Sequence, residues 1–290
     1  MSMPVETIID KHERQPEIVS DSSFYWREHG GIKMLVCRPL EDAGFANGFS
    51  TRLGGVSPFP ENDLNLAGYD NDSAENIGEN RRRFLAAFAG GYRLSTVWQE
   101  HGDGIKVVRT EEDASRTDEK FDALASNMTG LLVGVKTADC VPILLGDVKT
   151  RAYAAIHAGW RGTVRSIAAK AVRMMSSEFG SDPKDIIAAI GPAACGRNYE
   201  IGPEVVEAFE AAFSTRGNYF SPTSEGHALI DLHLANRDQL LFEGSASDRI
   251  FTAPYCTIER TDLFFSYRIE KKKYGRTGRL LSVIGHAPSS

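Results

Sequence analysis

The fold is decided by one central stretch, which reads Lys136-Thr137-Ala138-Asp139-Cys140-Val141-Pro142-Ile143-Leu144-Leu145 and, after a polar turn, Tyr153-Ala154-Ala155-Ile156-His157-Ala158-Gly159-Trp160-Arg161-Gly162-Thr163. The apolar runs at 131–135 and 141–145 predict buried strands, because short apolar runs between turn residues are typical of core strands. Gly146 and Asp147 supply the turn toward the next strand. A helix is predicted to begin near Thr163. The stretch therefore predicts core strands followed directly by a helix.

Two reactive side chains, Cys140 and His157, stand at the ends of neighbouring predicted strands. Such a pair can share a proton or a metal ion. Either residue alone is more often structural, since cysteine is commonly buried and inert. Asp139 favours the functional interpretation, because a carboxylate in an apolar run is costly unless it has a partner. The pair is therefore a candidate reactive site.

The composition is that of an ordinary globular enzyme, with 290 residues, 42% hydrophobic and 25% charged, and a net charge of −6. The acidic balance, with one short basic run at 271–273, makes nucleic acid a poor candidate partner. The chain has no apolar run of membrane-spanning length, and its first residues lack the apolar core of a secretion signal. The composition thus predicts a protein without a membrane span.

The cysteines predict a reducing, cytoplasmic location rather than a disulfide framework. They are far apart and form no Cys-x-x-Cys pair. Their positions are Cys37, Cys140, Cys195 and Cys256. The chain also has no Gly-x-Gly-x-x-Gly motif and no phosphate-binding loop, so a doubly wound nucleotide fold is not expected.

The domain organisation is predicted to be simple. Residues 1–30 are polar and irregular and are interpreted as an N-terminal extension, and residues 31–290 as a single α/β domain. The patterns in that domain predict strands at 34–38, 46–52 and 263–267, a charged loop at 110–120 and one continuous helix over 163–179. Strands and helices alternate only loosely, which predicts mixed α/β layers.

Seven motifs occur in a fixed order along the chain. They are Gly48-Phe49-Ser50-Thr51-Arg52, Glu79-Asn80-Arg81, Gln99-x-His101-Gly102, Thr137-Ala138-Asp139-Cys140-x-Pro142, His157-Ala158-Gly159-Trp160-Arg161-Gly162, Ile190-Gly191-Pro192 with Tyr199-Glu200-x-Gly202, and Phe264-Phe265-Ser266-Tyr267-Arg268. Together they resemble the laccase-domain, or polyphenol oxidase-like, family over roughly residues 31–286. Members of that family are also described as purine nucleoside phosphorylases, and one branch as peptidoglycan editing factor.

The resemblance implies a zinc ion bound by His101, Cys140 and His157. It also implies a four-layer α-β-β-α sandwich with mixed sheets, similar to cysteine-hydrolase folds. The sequence departs from the family in two places that could border the site. Asn47 stands where a histidine is frequent, and Arg197-Asn198 stand where the family often has Cys or His.

The physical chemistry of such a site agrees with catalysis. Three protein ligands leave a fourth zinc position for water or substrate, and bound water becomes acidic enough to act as a nucleophile. Asp139 is predicted to act as general base or to orient a ligand, which makes the predicted catalytic set Asp139, Cys140 and His157. The predicted substrate-binding residues, with guanidinium groups suited to phosphate, are Arg52, Gln99, Arg161 and Arg268.

Four functions are candidates on this basis. The favoured one is a zinc-dependent purine nucleoside enzyme, for which the resemblance implies phosphorolysis of adenosine, inosine, guanosine and methylthioadenosine, and adenosine deamination. The alternative is a cytoplasmic amidase that edits peptidoglycan precursors, with Cys140 as nucleophile and His157 as base. A copper polyphenol oxidase is disfavoured, because seven histidines without a His-x-His pair are few for a multicopper centre. A non-catalytic binding module is disfavoured by the intact ligand set.

Overall fold

The computed structural model describes residues 23–59, 63–67, 72–213 and 219–287. The strands in these ranges are β1 (Phe24–His29), β2 (Ile32–Cys37), β3 (Phe45–Ser50), β4 (Arg93–Ser95), β5 (Ile105–Val108), β6 (Ala123–Ser126), β7 (Leu131–Thr137), β8 (Val141–Asp147), β9 (Tyr153–Ala158), β10 (Ile186–Ile190), β11 (Glu200–Ile201), β12 (Phe220–Pro222), β13 (Ala228–Ile230), β14 (Ile250–Thr252) and β15 (Leu280–His286). The helices are α1 (Arg38–Asp42), α2 (Ala74–Ala86), α3 (Glu111–Ser115), α4 (Trp160–Val164), α5 (Ile167–Phe179), α6 (Pro203–Ala212), α7 (Leu232–Phe242) and α8 (Tyr267–Tyr274).

Two six-stranded sheets make up the centre of the fold. The first has the order β1-β2-β3-β15-β7-β4 and the second β14-β10-β8-β9-β6-β5, while β11-β13-β12 form a small third sheet. Both large sheets are mixed, since most neighbours are antiparallel but β4–β7, β10–β14 and β5–β6 are parallel. The predicted mixed α/β class is confirmed; the four-layer order and the likeness to cysteine hydrolases stay predictions.

Three apolar clusters hold these elements together. One contains residues of both large sheets, such as Val133 of β7 and Leu144 of β8. A second joins the other face of the β8–β9 sheet to α5, α6 and α7, and includes Met175 of α5. A third joins the first sheet to α2 and includes Phe84. The side chains of β8 and β9 are therefore buried on both faces, which explains their uninterrupted apolar runs.

The hairpin β8–β9 positions the candidate site. The two strands are antiparallel, and His157 on β9 lies opposite Pro142 on β8. Cys140 directly precedes β8, so the register brings it to the same end of the hairpin as His157. The short helix α4 begins at Trp160, immediately after Gly159. This end of the hairpin is thus where the two reactive residues meet.

Three predicted elements need correction. The predicted strand at 263–267 is wrong: its aromatic residues are buried in a turn, and Ser266 caps α8 instead. The predicted continuous helix over 163–179 breaks at Ser166, whose φ of 60° is left-handed. The predicted loop at 110–120 contains α3, which begins with a capping box of Thr110 and Asp113.

The predicted irregular N-terminal segment also contains regular structure. Strand β1 lies within it and pairs with β2 in an antiparallel hairpin, with Phe24 opposite Cys37. Residues 1–22 of that segment lie outside the described residues. None of the helices in the described ranges combines the length and the apolar character that a membrane span requires.

Candidate metal centre and pocket

The structure brings the three predicted metal ligands together. The ligand atoms of His101, Cys140 and His157 all lie within 4.8 Å of one another. The two imidazole rings are 4.9 Å apart, centre to centre, at an angle of 79°. His157 is buried and His101 is exposed, so the group extends from the core to the protein surface. Two imidazoles and one thiol at such separations are a donor set that a single zinc ion accepts.

The carboxylate of Asp122 orients two of the three predicted ligands, His157 and His101. Its Oδ1 lies 2.7 Å from Nδ1 of His157 and accepts the backbone N–H of His101 at 3.0 Å. Its Oδ2 accepts the backbone N–H of Gly102 at 2.6 Å. One buried carboxylate therefore fixes both the ring of His157 and the loop that carries His101. With Nδ1 engaged, Nε2 of His157 is the nitrogen left for a metal or for the thiol.

Asp122 was missed in the sequence. It directly precedes the apolar strand β6, which is the same signal that drew attention to Asp139. Its role shows only in three dimensions, because His157 is 35 residues away.

Cys140 and the two histidines affect one another's pKa values. Burial raises the pKa of the Cys140 thiol, but His157 and His101 outweigh burial and hold that pKa well below its ordinary value. Burial lowers the pKa of His157, whereas the Cys140 thiolate and Asp122 raise it by more. The protein groups alone thus favour a thiolate beside an imidazolium. A thiolate is the form of cysteine that binds a metal or attacks a carbon atom.

Gly159 provides the space in which the ligands meet. A Cβ at this position would lie 3.2 Å from Sγ of Cys140 and 3.2 Å from Cδ2 of His101. Any larger residue would press on both ligands at once, since real Cβ contacts are rarely so short.

A cavity of about 690 Å³ opens onto the three ligands. Of the other residues predicted to act in the site, it contains Gln99, Asp139, Arg161 and Arg268. The lining residues that the sequence did not single out for the site are Ala67, Trp98, Lys136, Thr137, Ala138, Trp160, Tyr199, Leu232, Tyr267 and Arg279. The volume is that of an ordinary small-molecule pocket, since such pockets commonly measure about 300–1,000 Å³.

Arg52 lies outside this lining, which corrects the prediction that it borders the pocket. It is 6% exposed, and its guanidinium forms ion pairs with Asp63 at 2.7 Å and Glu270 at 2.8 Å. It also stacks over the ring of Phe265. Two carboxylates already balance its charge, so Arg52 joins its own loop to α8 instead of adding positive charge to the pocket.

Gln99 and Asp139 line the pocket but have anchoring contacts of their own. The amide of Gln99 donates to the carbonyl of Lys136 at 2.7 Å and accepts the N–H of Lys136 at 2.8 Å, which ties the His101 loop to β7. The carboxylate of Asp139 accepts hydrogen bonds from Thr257 Oγ1 at 2.6 Å and from the N–H of Arg268 at 2.7 Å. Burial nevertheless raises the pKa of Asp139.

The two departures from the family pattern have local explanations. Asn47 is 1% exposed and outside the pocket lining, and its amide bonds both the N–H and the carbonyl of Cys37. Asn198 points its Nδ2 at a second group of ligand-type atoms. These atoms lie within 4.8 Å of one another and belong to Cys195, Cys256 and Glu259.

This second group is occupied by protein atoms. Nδ2 of Asn198 lies 3.3 Å from Sγ of Cys195, 3.7 Å from Sγ of Cys256 and 2.6 Å from Oε1 of Glu259. Both oxygens of Glu259 also accept hydrogen bonds from the guanidinium of Arg197. An amide nitrogen therefore fills the place that a metal would take, and the carboxylate is already neutralised.

Replacing Cys256 with serine is accordingly expected to leave the metal content unchanged. Cys37→Ser is the matched control, because Cys37 is equally buried and belongs to neither group of ligand-type atoms. Metal analysis of the purified variants checks this expectation. A loss of stoichiometric zinc in Cys256→Ser alone would show that the second group holds the ion.

Comparison with known proteins identifies the family of this chain. The family model described as multi-copper polyphenol oxidoreductase laccase matches residues 46–287. The purine nucleoside phosphorylase YfiH of Escherichia coli (strain K12) is 35% identical over 254 residues, which cover 87% of this chain and 98% of that protein. A purine nucleoside phosphorylase of Deinococcus radiodurans is 37% identical and covers 82% of this chain and 87% of its own length.

Solved structures agree with these relatives. YlmD from Geobacillus stearothermophilus superposes with a TM-score of 0.83 at 32% identity, covering 91% of this chain and 99% of its own. The hypothetical protein YfiH of Bacillus licheniformis gives a TM-score of 0.82 at 30% identity, covering 90% and 98%. Sequence and fold agree over most of the chain, so this protein belongs to the laccase-like family described as multi-copper polyphenol oxidoreductase laccase.

Proposed function

We propose that this protein is a cytoplasmic, zinc-dependent purine nucleoside phosphorylase. Its substrates would be adenosine, inosine, guanosine and methylthioadenosine, and it would also deaminate adenosine. The observation that carries the proposal is the meeting of His101, Cys140 and His157 in one small-molecule pocket. The names of the relatives from Escherichia coli and Deinococcus radiodurans support the same class of substrate.

Zinc is the metal that the donor set supports best. The two imidazoles and the thiol supply three ligands, and the lowered pKa of Cys140 favours the thiolate that zinc binds. When bound there, zinc would supply a Lewis acid that acidifies water and polarises substrate oxygen or nitrogen atoms. Copper is less well supported, because the seven histidines include no His-x-His pair.

The residues around the ligands hold them and shape the pocket. Asp122 keeps His157 in one tautomer, and Asp139 is held by Thr257 and Arg268 next to Cys140. We assign Asp139 chiefly this anchoring role. Its general-base role remains a prediction, because its oxygens already accept hydrogen bonds from Thr257 and Arg268. Arg161 and Arg268 add positive charge to the lining and would attract an anionic co-substrate.

The pocket mouth carries aromatic surface that fits a purine. Trp98 is 60% exposed and Tyr267 is 49% exposed, and both line the cavity. Large exposed aromatic rings at a pocket are typical of ligand contacts, since they bury a flat partner at low entropic cost. A purine base stacked there would lie in the same cavity as the metal centre.

Trp98→Ala is therefore expected to weaken binding of adenosine by about 1–3 kcal/mol, the usual contribution of one stacked base. Steady-state kinetics should show this as a higher KM with little change in zinc content. Trp98→Phe should retain most of the affinity. Phe242→Ala is the matched control, because Phe242 is 86% exposed but lies outside the cavity lining. An unchanged KM in Trp98→Ala would place the base elsewhere.

A second function is favoured by one specific arrangement. Cys140 interacts with His157, and His157 with Asp122, in the order nucleophile, base and orienting carboxylate. This order is shared with cysteine hydrolases, in which the thiolate attacks an amide carbonyl. It supports the alternative of an amidase that edits peptidoglycan precursors.

Product analysis separates the two proposals. Adenosine conversion to adenine and to inosine is followed in parallel, with and without phosphate, beside release of an amino acid from a UDP-muropeptide. We expect adenine to appear only with phosphate and inosine to appear in both conditions. Release of the amino acid without either purine product would establish the amidase.

A further inference from the structure

Two cations of the pocket, Lys136 and Arg279, lack a carboxylate partner among the described residues. Nζ of Lys136 donates to the carbonyl of Val97. The guanidinium of Arg279 donates to the carbonyls of Gly278 at 2.9 Å and Thr277 at 3.4 Å. In the described ranges neither has a carboxylate oxygen within 4.0 Å. These hydrogen-bond partners are neutral carbonyls, so no direct ion pair within the described residues balances either charge.

Partial burial distinguishes these two cations from Arg161 and Arg268, the exposed cations of the same lining. Acidic residues outnumber basic ones, 39 to 33, so carboxylates are plentiful. The buried Arg52 shows the ordinary solution, with both Asp63 and Glu270 in ion pairs. Lys136 and Arg279 are only partly buried, but a charge that is partly removed from water still gains from a counterion. The two cations are therefore expected to meet an anion from outside the chain.

Lys136 and Arg279 also lie side by side. Lys136 on β7 is the register partner of Leu281 on the neighbouring strand β15, and Arg279 stands two residues before Leu281. Residues in this diagonal relation share one face of the sheet and reach each other when their side chains are long. Burial, Arg81 and Arg279 together lower the pKa of Lys136 to about 8, with Asp122 opposing. The two charges thus face the same space and repel each other.

That space adjoins the metal centre. Arg279 feels the charges of Cys140, Tyr267, Asp139 and Glu270, which oppose the lowering of its pKa by burial. Both cations line the same cavity as the three predicted metal ligands. An anion held between Lys136 and Arg279 would therefore share the cavity with a substrate bound at the metal centre.

We infer that Lys136 and Arg279 form an oxyanion subsite of the pocket, which takes inorganic phosphate; this inference rests on the proposed phosphorylase function. A guanidinium matches two phosphate oxygens, and an ammonium adds a point charge. Bound phosphate would give both Lys136 and Arg279 an anionic partner. Arg52, which the sequence favoured for this role, is already neutralised by Asp63 and Glu270.

The subsite has a defined part in phosphorolysis. An oxygen of hydrogen phosphate forms a bond to C1′ of the ribose as the bond from C1′ to N9 of the purine breaks. The electron pair of the broken bond leaves with the purine, and N9 takes up the proton that the phosphate gives up. The products are the free base and ribose 1-phosphate. Deamination uses no phosphate and does not need the subsite.

The test measures phosphate binding directly, without nucleoside, by calorimetric titration of the zinc-loaded protein with inorganic phosphate. Lys136→Met and Arg279→Met should each raise the phosphate Kd about 10-fold or more, with zinc content unchanged. Arg279→Lys should restore part of the affinity. Arg173→Met is the control, because Arg173 is an α5 residue paired with Glu243 outside the cavity lining.

A second titration, with adenosine 5′-monophosphate, distinguishes free phosphate from the phosphate of a nucleotide. Tight binding of the nucleotide that both variants lose, with no binding of inorganic phosphate, would overturn the assignment to free phosphate. Wild-type affinity for phosphate in both methionine variants would overturn the subsite itself. If phosphate binding depends on the two cations but adenosine is never cleaved, the subsite stands and the phosphorylase proposal fails.

Discussion

Replacing Cys140 with alanine is expected to lower zinc affinity and purine nucleoside turnover by more than about 100-fold, because groups that merely support a ligand already account for about 10–100-fold. Cys140 is the one thiol within 4.8 Å of both His101 and His157 among the described residues. Metal analysis and steady-state kinetics of the purified variant measure both effects. Cys37→Ala removes a buried sulfur outside the site and controls for a cavity in the core.

His101→Ala extends this test to the choice between functions. As a metal ligand, His101 should be as necessary as Cys140. In the amidase alternative the working residues are Cys140, His157 and Asp122, and His101 has no assigned part. Loss of zinc and of adenosine cleavage in His101→Ala supports the metal centre. A variant that keeps full activity without bound zinc would contradict it.

Asp122→Ala should produce the second large effect, on stability and on zinc affinity together. The substitution leaves the Nδ1 group of His157 and the backbone N–H groups of His101 and Gly102 without their acceptor. A buried donor without a partner costs about 1–3 kcal/mol, so the free energy of unfolding should fall by at least about 3 kcal/mol. Zinc affinity should fall by about 10–100-fold, as for other carboxylates that orient ligand histidines.

Urea denaturation and competition with a zinc chelator measure the two effects of Asp122→Ala. Asp122→Asn is the matched variant, because its amide oxygen can still accept one hydrogen bond while its NH₂ group faces other donors. It should fall between wild type and Asp122→Ala in both measurements. Full zinc affinity in Asp122→Ala would show that His157 needs no orienting partner.

The sequence predicted the centre of the fold well, for physical reasons. Strands β8 and β9 are buried on both faces, and their uninterrupted apolar runs mark them clearly. The same reasoning failed at 263–267, because Phe264 and Phe265 are buried in a turn whose position depends on distant segments. Helix α5 was placed correctly, but the left-handed Ser166 before it has no sequence signal of its own.

The site was predictable where motifs name residues and unpredictable where partners are distant. His101, Cys140 and His157 stand in recognisable motifs, and the structure brings them together. Arg52 also stands in a motif, but its partner Glu270 lies 218 residues away. The ion pair that balances the charge of Arg52 could therefore not be read from the sequence. Asp122 could be noticed only as an isolated carboxylate before an apolar run.

The most direct test of the central claim is a zinc titration of metal-stripped protein, in which adenine release from adenosine is followed at saturating phosphate. The account predicts that turnover rises linearly and levels off at one zinc per chain, and that it disappears when phosphate is withheld. Full adenine release before any zinc is added, or adenine release at the same rate with and without phosphate, would contradict the account.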